Sequence, residues 1–124
     1  MTRSFLTFVS LVFIGYGIAC IIDPVLPARL AGLDLLNGDA YAEMSAMYGG
    51  LQTGVGIFCL IAACRQTLQS SALLLLVLGV GLLAASRAFG ALRSDELLTA
   101  YTWGALAFET LVTATAAALL PRKA

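Results

Sequence analysis

The chain has 124 residues, of which 60% are hydrophobic and only 11% are charged, whereas an ordinary soluble domain carries about 25% charged residues. So few polar groups cannot cover the surface of a soluble domain, and the composition indicates a protein of the lipid bilayer. Histidine is absent and the formal net charge is zero, which excludes imidazole chemistry and leaves no basic surface for nucleic acid.

Charged residues divide the chain into four apolar segments, each near the roughly 20 residues that an α-helix needs to cross a membrane. The segments are residues 4–22, 44–64, 71–92 and 98–120. The first ends at Asp23 and Pro24, because proline disfavours helix in the residue before it. The sequence therefore predicts an all-α integral membrane protein, in which residues 1–124 form a single antiparallel four-helix bundle.

The first segment has some features of a lipoprotein signal, with Cys20 as the residue that would be modified. The match is poor, because Gly17 stands where such signals carry leucine and the apolar run continues past Cys20 into Ile21 and Ile22. We expect this segment to be a retained span.

The connections between the segments differ in length. Residues 65–70 and residues 93–97 are short links, which predict antiparallel hairpins for helices two and three and for helices three and four. The longer connection, residues 23–43, carries leucines at helical spacing, at Leu26, Leu30, Leu33 and Leu36.

Pro27 stands near a plausible helix start in this longer connection, and Gly38 near a plausible stop. The connection is either a short interfacial helix or a structured loop whose leucines dip into the lipid headgroups. We expect Asp39 to cap the helix that follows.

Basic residues near the ends of the spans predict the orientation of the protein. The side shared by both termini carries Arg3, Arg65, Arg122 and Lys123. The opposite side carries Arg29 and Arg93. This excess predicts a multi-pass protein of the cell inner membrane with both termini in the cytoplasm.

Two charged residues lie within the predicted spans, Arg87 on helix three and Glu109 on helix four. An unpaired charge at the centre of a membrane helix costs about 2.5 to 3.5 kcal/mol, so such residues normally face other helices and find partners. Side chains lean toward the amino terminus of their own helix, and in an antiparallel hairpin this brings the two residues toward each other. We expect an intramembrane ion pair, closed either by a single charge-assisted hydrogen bond or by a bidentate contact.

Two roles of this pair remain open from the sequence. A buried ion pair fixes the register of two helices at little net gain in stability, whereas a polar pocket around it would hold a ligand or a proton. Polar residues that could line such a pocket are Thr102 and Thr113 on helix four, with Tyr48 and Gln52 on helix two.

Glycines mark the places where helix backbones are expected to approach. They are Gly15 on helix one, Gly49, Gly50, Gly54 and Gly56 on helix two, and Gly81 on helix three. Gly50 and Gly54 form a small-xxx-small step, and these faces meet either within one chain or between two copies. The three cysteines, Cys20, Cys59 and Cys64, are expected to be unpaired, and no metal ligand set or cofactor motif is present in the sequence.

The segment 48–54 (Tyr-Gly-Gly-Leu-Gln-Thr-Gly), Arg87, Glu109 and a proline just after helix one resemble a bacterial family of small four-span membrane proteins. That family is described as domain of unknown function 4345, and its layout is similar to that of the DoxX-like proteins. The resemblance covers essentially the whole chain and implies the four-span fold without an activity.

Three hypotheses for the function follow. The first is a non-enzymatic accessory or scaffold subunit of a membrane assembly, with another membrane protein or a second copy as its partner. The second is binding of a lipid-like or quinone-like molecule between the helices, with Arg87 and Glu109 at its polar end. The third is a proton-coupled small transporter with Glu109 as the titrating group. We expect no enzyme and no catalytic residue, because no nucleophile, base and orienting group can be combined without histidine.

Overall fold

The computed structural model describes residues 1–121, and within that range the chain forms helices and their connections. Four helices are long and apolar enough to cross a membrane: α1 (Thr2–Ile22), α3 (Gly38–Cys64), α4 (Gln66–Leu92) and α5 (Ala100–Leu119). A short helix, α2 (Val25–Ala31), lies between α1 and α3 in the chain. The predicted all-α membrane fold class is confirmed. Arg122 and Lys123, two of the residues behind the predicted orientation, lie outside the described residues.

The chain forms two compact units. The first, Met1–Gln66, contains α1, α2 and α3, and the second, Thr67–Ala124, contains α5 and all of α4 except its first residue. The ends and the packing of the helices are best followed one unit at a time.

Helices α1 and α3 pack closely and in opposite directions. A Cβ atom built on Gly49 would lie 2.5 Å from Cγ1 of Ile21, and one built on Gly56 would lie 2.7 Å from Cγ1 of Ile14. Residue numbers therefore fall along α1 as they rise along α3. Only glycine permits this spacing without displacing the facing helix, and close approach of backbones is how membrane helices gain packing contacts.

Gly17 of α1 is a further point of close approach, and it was not among the glycines expected to pack. A Cβ atom on Gly17 would lie 2.7 Å from the backbone nitrogen of Thr53. By contrast, a Cβ atom on Gly15 or on Gly54 would meet nothing within 4 Å, and one on Gly50 would meet only a backbone oxygen at 3.9 Å.

The small-xxx-small step of Gly50 and Gly54 therefore does not form the contact between α1 and α3. The face of α3 turned toward α1 instead carries Gly49, Thr53 and Gly56. Gly49 and Gly56 are two of the glycines expected to pack, whereas Gly50 is one residue further along α3 and is therefore turned from Gly49 by about 100°.

The connection between α1 and α3 contains the expected short helix, but that helix is shorter than the leucine pattern predicts. It ends at Ala31 because Gly32 adopts a left-handed conformation with φ of 70°. The amide of Leu33 then donates a hydrogen bond of 2.8 Å to the carbonyl of Ala28, which closes the end of the helix. The predicted stop at Gly38 is wrong, since Gly38 is the first residue of α3.

The predicted cap of α3 also requires correction. Asn37, with extended backbone, is the capping residue, and its Oδ1 accepts a hydrogen bond of 3.0 Å from the amide of Ala40. Asp39 lies in the first turn of the helix instead, where its negative charge complements the helix dipole. α3 begins six residues before the predicted span at residue 44, because this polar turn continues the helix beyond the apolar segment.

The predicted link of residues 65–70 is reduced to one residue. Arg65 alone has extended backbone, with φ of −122° and ψ of 103°, and α4 begins at Gln66. The polar residues that follow Arg65 include no glycine or proline, so nothing prevents them from forming the first turn of α4. The link between α4 and α5 is close to its predicted length, since α4 ends at Leu92 and α5 begins at Ala100.

Two of the long helices contain π-helical turns, at Ser45–Leu51 in α3 and at Leu76–Val80 in α4. A π turn inserts one extra residue into the helical repeat and often occurs at functional positions. The first of these turns contains Tyr48 and Gly49, and its last residue precedes Gln52.

Candidate functional site

The candidate site lies in the second unit and is built on the α4–α5 hairpin. Arg87 lies five residues before the end of α4 at Leu92, and Glu109 lies nine residues after the start of α5 at Ala100. At about 1.5 Å of rise per residue, these positions are roughly 7 Å and 14 Å from the connected ends of the two helices. The long arginine side chain spans the difference in height.

Arg87 and Glu109 form a bidentate ion pair. Nη2 of Arg87 donates to Oε1 of Glu109 at 2.7 Å, and Nε donates to Oε2 at 3.0 Å and to Oε1 at 3.2 Å. This two-point contact holds the planes of both groups, so it fixes orientation as well as distance. The predicted pair is confirmed, and of the two forms left open by the sequence it takes the bidentate one.

The two partners differ in exposure. The side chain of Glu109 is 7% exposed and that of Arg87 is 21% exposed. The carboxylate is therefore sealed within the chain, whereas part of the arginine reaches the surface. A buried carboxylate depends on its cation, because the low dielectric of the surroundings makes an uncompensated charge costly.

An aromatic ring completes the surroundings of Arg87. The guanidinium carbon lies 6.0 Å from the centre of the Tyr101 ring, near the start of α5, within the range of a cation–π contact. Tyr101 was not among the residues predicted for the site. Its spacing of eight residues from Glu109, about 2.2 helical turns, belongs to the i, i+4, i+8 stripe of one broad helix face and is the signal that would have placed it near the pair.

Thr113 lies on the face of α5 that meets α4, but its hydroxyl group is already used. Oγ1 of Thr113 donates to the backbone carbonyl of Glu109 at 2.8 Å, one turn earlier on the same helix. Its methyl group packs against α4, because a Cβ atom on Gly81 would lie 3.1 Å from Cγ2 of Thr113. Gly81 therefore has the packing role expected of it, and Thr113 contributes to helix contact.

The other predicted pocket residues are distributed between the two units. Thr102 is half-buried on α5, seven residues before Glu109. Tyr48 and Gln52 are half-buried on α3 and belong to the first unit. Within the second unit, the structure thus brings together Arg87, Glu109 and Thr113.

The cysteines are unpaired, as expected. Cys20 and Cys59 are buried and Cys64 is exposed, and all three are free thiols. Among residues 1–121 no group of three histidine, cysteine, aspartate or glutamate side chains is placed to hold a metal ion. The chemistry of the site is therefore that of one ion pair with an aromatic neighbour.

Four long apolar helices and an ion pair within two of them define a multi-pass helical membrane protein. The family model described as "Domain of unknown function (DUF4345)" matches residues 1–120, and the chain belongs to this family. The expected family membership is thereby confirmed. Neither a curated protein nor a solved structure matches the chain.

Proposed function

We propose that the protein is a non-enzymatic accessory or scaffold subunit of a membrane assembly, in which the Arg87–Glu109 pair acts as an internal clasp between α4 and α5. One observation carries this proposal: both carboxylate oxygens of Glu109 accept hydrogen bonds from Arg87. A carboxylate so occupied and 7% exposed is suited to holding two helices in register.

The remaining chemistry of the chain is consistent with a structural role. The sequence has no histidine, and the hydroxyl of Thr113, next to the pair, is bonded to its own helix. Little of the chain lies outside the four long helices, so its main surface is the apolar one. Several large side chains on that surface are well exposed, such as Leu82 at 66% and Leu111 at 68%.

The proposed setting is the cell inner membrane with both termini in the cytoplasm. Its support is the excess of basic residues on the side of the termini, four (Arg3, Arg65, Arg122 and Lys123) against two (Arg29 and Arg93). Reaction of single cysteines placed at these positions with an impermeant reagent in intact cells would test this orientation, in a background with the three native cysteines replaced by alanine.

Photo-crosslinking in native membranes tests the scaffold role. A photoreactive amino acid at Leu82 or Leu111 is expected to form a discrete adduct with another protein, because a scaffold presents its lipid-facing surface to a partner. The matched control places the same group at the buried position Leu76, which is expected to give no adduct with another chain. Adducts with lipid alone from every exposed position would contradict the scaffold role.

A second candidate is binding of a lipid-like or quinone-like molecule with its polar end at the pair. The partial exposure of Arg87 and its position over the Tyr101 ring favour it. Mass spectrometry of protein purified in mild detergent would then find a small molecule at stoichiometric amounts. That molecule would be lost in Arg87→Gln and kept in the control Arg93→Gln, and its retention in Arg87→Gln would contradict this candidate.

A further inference from the structure

A second surface of the protein, apart from the ion pair, exposes large apolar side chains. It is the connecting segment, residues 23–37, which comprises α2 and the turn between α2 and α3. It begins directly after α1 and ends at the capping residue of α3. Because α1 and α3 are antiparallel neighbours that can each cross a membrane, both ends of the connecting segment lie at the same membrane surface.

The apolar side chains of the connecting segment form a buried group and an exposed group. Pro27 and Ala28 are buried against the unit to which they belong. Leu30, Leu33 and Leu36 are 45%, 48% and 87% exposed, although they lie at the boundary of the apolar spans. These three exposed leucines, here called the apolar edge, lie in the segment that directly connects two candidate spans.

Three backbone amides of this segment form hydrogen bonds within the chain, as a poorly hydrated environment requires. The left-handed Gly32 lets the amides of Gly32 and Leu33 bond to carbonyls of α2, at 3.3 Å to Arg29 and 2.8 Å to Ala28. At the other end of α2, Oδ1 of Asp23 accepts the amide of Val25 at 3.1 Å. These three amides, which would otherwise require water, are therefore satisfied within the chain.

The charges of the segment indicate which force holds it at the membrane. Asp23 and Asp34 outnumber Arg29, so attraction to anionic lipids does not account for a membrane contact. Apolar insertion would account for it, and an exposed arginine such as Arg29 is long enough to keep its charged end at the headgroups.

We propose that the connecting segment is an interfacial anchor, whose Leu30, Leu33 and Leu36 insert into the boundary between headgroups and acyl chains of one leaflet. The bilayer is the occupant of this apolar edge. The anchor is independent of the function proposed for the ion pair.

Depth-dependent fluorescence quenching tests the anchor. The one native tryptophan, Trp103, is first replaced in Trp103→Phe, and Leu36→Trp or Leu33→Trp is then added. The purified protein is reconstituted in phosphatidylcholine vesicles, with or without lipid brominated near the headgroup end of the acyl chains. The matched control is Asp34→Trp, which is next to Leu33, exposed and polar.

Insertion predicts that tryptophan at position 36 or 33 has blue-shifted emission, loses most of its intensity in brominated vesicles and resists aqueous iodide. The control at position 34 is expected to respond to iodide and little to brominated lipid. Quenching of positions 36 and 33 by iodide alone would overturn the anchor, since the segment would then lie in water. Shielding of both positions from iodide and from brominated lipid would also overturn it, because another protein surface would then cover the leucines.

Discussion

Removing one partner of the Arg87–Glu109 pair at a time gives the most informative test of the clasp. Arg87→Met removes the cation and keeps an unbranched side chain of similar length, whereas Glu109→Gln removes the negative charge and keeps an oxygen acceptor. The clasp predicts that these two substitutions have unequal costs, because the two partners differ in burial.

The expected magnitudes follow from the geometry of the pair. Arg87→Met leaves a carboxylate that is 7% exposed and has lost three hydrogen bonds. Breaking a buried pair in this way costs about 3 to 5 kcal/mol. Glu109→Gln keeps one acceptor for an arginine that is 21% exposed, so its cost approaches the roughly 1 kcal/mol of a neutral hydrogen bond between membrane helices.

Reversible unfolding of the purified protein in mixed detergent micelles measures both free energies of unfolding, together with that of the double variant. The double variant Arg87→Met/Glu109→Gln is expected to be less destabilised than the sum of the two single variants, since no uncompensated charge is left. Arg93→Met is the control; it removes an exposed arginine at the end of α4 whose guanidinium carbon lies 5.5 Å from the centre of the Phe89 ring, and it is expected to cost no more than about 1 kcal/mol. Equal costs of the two single variants, with an additive double variant, would refute the clasp.

Four further substitutions test the first unit by the same unfolding measurement. Gly17→Ala is expected to cost about 1 to 3 kcal/mol by overpacking against Thr53, whereas Gly15→Ala, with open space around its Cβ, is expected to be neutral or to stabilise by up to about 1 kcal/mol. Thr53→Val is expected to be neutral or stabilising, because the buried Oγ1 has no hydrogen-bond partner within the described residues. Asn37→Ala is expected to cost about 0.5 to 2 kcal/mol through loss of the α3 cap.

The spans and the ion pair could be predicted because the membrane limits the choices available to the chain. A charged side chain in hydrocarbon requires a partner, and Arg87 and Glu109 were the two charges within predicted neighbouring spans. Because the two helices are antiparallel and side chains lean toward the amino terminus of their own helix, the side chains of Arg87 and Glu109 were expected to reach toward each other. Charge pairing did not indicate Tyr101, since an aromatic residue in a span needs no charged partner, and only its spacing from Glu109 places it near the pair.

The helix ends and the packing faces depended on contacts that a single sequence does not show. Asn37 and Asp39 are both good capping residues, and only the backbone conformation at Asn37 decides between them. The choice of Gly49 over Gly50 as the contact on α3 depends on the rotation of the helix about its axis. The two π turns alter that rotation locally, and hydrophobic periodicity contains no sign of them.

The α4–α5 hairpin is held at two places by contacts of different kinds. Gly81 and Thr113 set how closely the helices approach, and Arg87 and Glu109, six residues further along α4, set their register and rotation. Apolar side chains supply no preference between register positions in lipid, because the lipid tails are as apolar as leucine. A directional pair about 9 Å from a steric contact therefore selects one arrangement, and with it the set of side chains that faces outward. A scaffold requires such a defined outer surface. A flexible ligand pocket between the same helices would not be served by a carboxylate whose two oxygens both accept hydrogen bonds from Arg87.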